Sequence, residues 1–243
     1  MTSNLSSATP DRTKVLAILG RAIEEMRTSV IERMLTKDLS LALEQVTVMG
    51  RSSHFALACL NQGYLGGVEA ALNAGLDINE QLATLDGTSA PKTTLLETAV
   101  INQDASAVQW LLKRKACIDP FAEFFANIEP EREPVILRAL RDSLSSSGGL
   151  GAFRIPLALL DAGADVSPQA RYYPNSEPAM ILLAKESWKG RELAMAKMMS
   201  IVKEKGGCVD ARSPRTRMTP IRVALGQRNI TALCTLIDLG AKT

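Results

Sequence analysis

The chain has 243 residues, 46% of them hydrophobic and only 4% aromatic, and its 28 Lys and Arg nearly balance its 26 Asp and Glu, for a formal charge of +2. That balance lacks the broad basic field of a nucleic-acid binder, and no stretch has the length of a membrane span. A single histidine leaves no His-rich metal site, and the four cysteines, Cys59, Cys117, Cys208 and Cys234, lie too far apart in sequence to read as a metal or redox motif.

Residues 1–12 are polar, rich in Ser and Thr, and without an apolar signal core, which reads as a disordered start to a cytoplasmic protein. The same composition fits the export signal of an effector delivered into a host cell, and that is the second expectation for localisation. From Thr13 to about Leu35, Val15, Leu16, Ile18, Leu19, Ile23, Met26, Val30, Ile31 and Met34 stand at helical spacing, and Asp38 to Met49 carries a second apolar set. Two helices are predicted over residues 13–50, forming an amino-terminal cap.

A 26-residue pattern then appears three times without a gap. It runs from His54 to Asn79, from Thr94 to Asp119, and from Thr219 to Thr243, the last copy stopping one residue short. The sixth slot holds Cys59, Ala99 and Ala224, and an apolar stripe holds Val68, Ala71 and Leu72, then Val108, Leu111 and Leu112, then Leu233, Leu236 and Ile237. Apolar residues three and four apart mark two short helices per copy, with a glycine or asparagine supplying the turn between them. Each copy therefore predicts a helix–turn–helix followed by a loop.

Two further segments fit with insertions. One runs from about Pro134 to Val166 with an extra stretch near Ser143 to Gly151, and the other from about Ala179 to Asp210 with an insertion around Trp188 to Glu192. The four thiols are expected to be reduced and structural. His54, in the first slot of the first copy, has no nucleophile or metal partner in the sequence and is expected to start a helix. The adjacent Glu24 and Glu25 point to different helix faces, and Gly148-Gly149-Leu150-Gly151 lacks the strand and the Gly-Lys-Ser/Thr of a phosphate loop. No catalytic residue, metal or cofactor is expected.

Two local biases stand out. From Val209 onward Arg212, Arg215, Arg217, Arg222, Arg228 and Lys242 face only Asp210 and Asp238, so this end is basic. Phe121, Phe124 and Phe125 lie in one acidic connecting loop, and Tyr172 and Tyr173 lie in the next. Clustered rings anchor protein interfaces, or else fold back as a satellite core beneath long loops.

The pattern resembles ankyrin repeats. The family's Thr-Pro-Leu-His-x-Ala is echoed in Thr219-Pro220-Ile221-Arg222-Val223-Ala224, and its Leu-Leu-x-x-Gly-Ala-Asp-Val ending in Leu159-Leu160-Asp161-Ala162-Gly163-Ala164-Asp165-Val166. Slot 22, usually glycine, is Lys115 in the second copy, and the histidine of slot four is replaced by Leu57, Glu97 and Arg222. The resemblance implies an all-α solenoid of about five stacked helix–turn–helix units over residues 51–243. It also implies a groove lined by the connecting fingers and by paired positions on each first helix. Those positions are Asn61 and Gln62, Ile101 and Asn102, and Gly226 and Gln227, with Arg141 and Asp142, and Glu186 and Ser187, in the enlarged units. Arg212, Arg215 and Arg217 fall in the finger entering the last unit.

The function expected is non-enzymatic binding of a protein partner by a monomer, without nucleic acid or membrane. A bacterial effector, an inhibitor or regulator of a partner enzyme, and a scaffold are the three settings. The alternative is an effector-type transferase that uses the repeats to recognise its substrate. It would show a deep pocket with at least two convergent titratable groups.

Overall fold

In the computed structural model, which describes residues 11–82, 92–120, 133–145, 149–167, 175–186 and 189–242, the first element begins at a capped residue. The Asp11 side chain accepts the Thr13 amide and starts helix α1, Arg12–Glu24. The helix ends where Met26 takes a left-handed φ of 52° and the Arg27 amide reaches back to the Ala22 carbonyl at 2.8 Å. Helix α2, Thr28–Lys37, then folds back on α1 and buries Ile31 and Leu35. The apolar run from Thr13 to Leu35 is thus two antiparallel helices rather than one.

The helix predicted over Asp38 to Met49 is absent. Asp38 caps a short 3-10 turn, Leu39–Leu43, and strand β1, Gln45–Val48, pairs antiparallel with β2, Arg51–His54. Met49 and Gly50, with φ of 50° and 75°, form the two-residue turn whose left-handed backbone matches the twist of a tight hairpin. Val46 and Val48 alternate inward, so the apolar set has period two, not 3.6. Helix α1 lies on β1 so closely that a Cβ on Gly20 would collide with the Thr47 carbonyl oxygen. The molecule is mainly helical, and this hairpin departs from the all-α expectation.

The chain divides into two compact units, Met1–Ala107 and Val108–Thr243. In the first, α3 (Phe55–Asn61) packs on α4 (Leu65–Asn73) and on α5 (Leu95–Ile101). A side chain at Gly67 would collide with the Cys59 sulfur, which shows how tightly α3 and α4 close. Helix α6, Ala105–Lys113, carries the boundary between the units.

The second unit contains α7 (Val135–Leu144), a 3-10 turn (Leu150–Phe153), α8 (Arg154–Asp161), α9 (Ala179–Lys185), α10 (Glu192–Glu204), α11 (Pro220–Gly226) and α12 (Ile230–Asp238). Helix α9 packs against both α7 and α11, and α10 packs against α12, so first helices meet first helices and second meet second.

The three 26-residue segments share their element boundaries slot for slot. Slot one precedes the first helix in each (His54, Thr94, Thr219), its side chain accepting a helix amide at His54 and Thr94 but not at Thr219, and helices fill slots two to eight and 12 to 20. Slot ten is left-handed at Gly63, Gln103 and Arg228, so glycine makes this turn only once and Asn229 instead caps α12. Slot 22 is left-handed at Gly75, Lys115 and Gly240, and the amide after each returns to the carbonyl five residues earlier, as at Ala116 to Leu111, 3.1 Å. Gly163 and Gly206 close α8 and α10 in the same way.

Candidate functional site

The same dipeptide, Glu-Pro, stands in front of α7 and of α9. Pro134 and Pro178 hold extended backbone at the two helix starts, and proline also restricts the residue before it to extended conformations. Glu133 and Glu177 thereby line one hollow of about 600 Å³ in the second unit, together with Arg141, Lys185, Arg215 and Thr216.

Each carboxylate has its own environment. Glu133 receives the Arg141 guanidinium at 2.7 Å, and with only 14% of its side chain exposed, burial pushes its pKa above the usual carboxylate value while Arg141 and Arg138 oppose the rise. Glu177 accepts the buried Ser213 hydroxyl on Oε1 at 2.9 Å. Its Oε2 is buried and meets no hydrogen-bond donor among the described residues. An unpaired carboxylate oxygen under low dielectric has a strong demand for a donor.

Ser213 also organises the loop that carries Arg215. Its amide donates to the Met218 carbonyl and its own carbonyl accepts from Arg217, both at 2.9 Å, while its hydroxyl accepts the Thr216 amide at 3.0 Å. Arg217 completes this closed turn with a φ of 60°. Arg215 and Arg217 are both exposed, but they serve different hollows. Arg215 lines the same hollow as Arg141, whereas Arg217 lines a second hollow of about 650 Å³ beside α11 and α12. Gln227, the exposed residue ending α11, borders a third of about 350 Å³ with Lys185 and Glu186.

In the first unit Asn102 donates to Asn61 at 2.8 Å, joining the ends of α5 and α3, and Ile101 is exposed beside them. Gln62 is half-buried and ends α3. Phe121, Phe124, Phe125, Tyr172 and Tyr173, with Ser187 and Gly148, lie outside the described residues.

The other residues singled out in the sequence have these places. His54 is buried and caps α3, its Nδ1 accepting the Ala56 amide at 3.1 Å. Only Cys59 is a buried, structural thiol, its pKa pushed up by that burial, while Cys117, Cys208 and Cys234 are exposed. Glu25 pairs with Arg27 at 2.6 Å and Glu24 accepts the Met49 amide, so the two adjacent acids have separate structural partners. The described residues contain no group of three His, Cys, Asp or Glu placed to hold a metal ion, and no helix among them is long and apolar enough to cross a membrane.

The chief residues missed in sequence are Glu133, Glu177 and Ser213. The repeated Glu-Pro pair is the signal that points to the first two. Compared with known proteins, the chain matches no family model and no curated protein.

Proposed function

We propose that the chain is an ankyrin-type solenoid of about five units that binds a protein partner through its first-helix ends and connecting loops, the hollow between Glu133 and Arg215 being the central contact. The repeat reading is supported by the three segments whose caps, helices and left-handed residues fall on the same slots. The observation that carries the binding reading is the buried Glu177 Oε2 without a donor, set among Arg141, Lys185 and Arg215 in an open polar hollow. A segment offering an N–H donor beside Glu177 and a carboxylate towards this cationic lining would fit the hollow, and paired charges of both signs give register and specificity more than raw affinity.

A transferase acting on the bound partner has one observation in its favour. Glu133 and Glu177 are two titratable groups lining one hollow, the first with a raised pKa. Against it, Glu133 is held by Arg141 and the Ser213 hydroxyl donates to a carboxylate with no imidazole beside it, so neither is arranged as a base–nucleophile pair.

Affinity capture with the tagged full chain, quantified against Arg141→Glu and Arg215→Glu variants of unchanged thermal stability, tests the binding reading. A discrete set of proteins should fall by about tenfold or more in both variants, the loss typical of one interfacial charge contact. An identical set on all three proteins would reject the hollow as the contact.

A further inference from the structure

The terminal hairpin of α11 and α12 leaves core-type positions open. Slot seven is Leu60, Val100 and Leu225 in the three copies, and their exposures are 2%, 0% and 56%. Slot 15 is the fully buried Val68 and Val108 in the first two copies but the half-buried Leu233 in the last, and Ile237, at 47% exposed, continues the stripe. Leu225, Leu233 and Ile237, with Ile221, are the aliphatic side chains that line the hollow of about 650 Å³ beside the last hairpin.

Cations share this lining. Arg212, Arg217, Arg222 and Lys242 belong to it, and no ion pair involves any of them among the described residues. Asp210, the acidic side chain in the lining, already accepts the Lys242 amide at 2.9 Å. The surface therefore combines exposed aliphatic side chains with four cations, the complement of a helix with one apolar face and acidic flanks.

We propose that this terminal face docks an acidic amphipathic helix of a partner protein, with aliphatic side chains seated on Leu225, Leu233 and Ile237 and carboxylates paired with Arg212, Arg217, Arg222 and Lys242. A second copy of the chain is the poorer occupant, because two-fold pairing of this face would set its four cations against the same four. This surface has a lining different from that of the hollow around Glu177, so the two readings stand or fall separately.

The test titrates the full chain into a labelled synthetic helical peptide with leucines at i, i+3, i+4 and i+7 and glutamates elsewhere. Saturable binding is expected, with slowed amide exchange in α11 and α12. Leu225→Glu and Arg222→Glu, both at exposed positions, should each weaken it by about tenfold or more, and raising salt should weaken it further. Four results would overturn the proposal. They are no saturation up to about 100 μM, in the weak range of helix–groove affinities; equal binding of a peptide with lysine for glutamate; Leu225-dependent partitioning onto phosphatidylserine vesicles stronger than peptide binding; and self-association in sedimentation that Leu225→Glu abolishes.

Discussion

His54 occupies the slot that Thr94 and Thr219 fill in the other two copies, and as a helix cap it brings a proton-dependent acceptor. Burial lowers its pKa below 6.5, with Glu80, the Leu43 carbonyl and Glu44 pulling the other way. A group whose folded pKa is depressed contributes stability that is complete above its unfolded pKa and is lost as pH falls through the folded one. Protonation of Nδ1 would also remove the acceptor of the Ala56 amide. Urea melts should therefore show wild-type stability falling from about pH 7 to about pH 5 more steeply than that of His54→Thr, which keeps an oxygen cap that does not titrate. Equal slopes would remove His54 from the acid sensitivity.

The helical hairpins depend on how each second helix stops. Gly75, Gly163, Gly206 and Gly240 take the left-handed turn without a Cβ, but Lys115 closes α6 with a φ of 64°. A side chain in that region costs about 1 kcal/mol, partly offset by the greater freedom glycine has in the unfolded chain. Lys115 is exposed, so its replacement removes no buried contact. Lys115→Gly should raise stability by about 0.5–1 kcal/mol in a urea melt. An unchanged or lower midpoint would show that the position is not strained. Thr94 presents the opposite case, a start of helix secured by a capping box in which Glu97 returns to the Thr94 amide at 2.8 Å.

Over the whole molecule, the three regular copies are legible in the sequence because helix length, cap and turn recur at fixed slots, and each carries its own local signal. Residues 38–54 are not, since Leu39, Leu41, Val46 and Val48 fit a helical stripe as readily as an alternating one, and the turn at Met49-Gly50 lacks the asparagine that marks a tight hairpin. Arg141 and Arg215 are legible only through the resemblance to a repeat. Their convergence depends on Ser213 and on carboxylates 44 residues apart in the chain, a separation over which spacing carries no information. A photo-crosslinking residue placed at Lys185 or Thr216, and at Lys37 on α2 as the control, tests most directly whether this hollow holds a protein. A discrete covalent adduct is expected from positions 185 and 216 and none from 37. Adducts no more abundant at the hollow than at the control would contradict it.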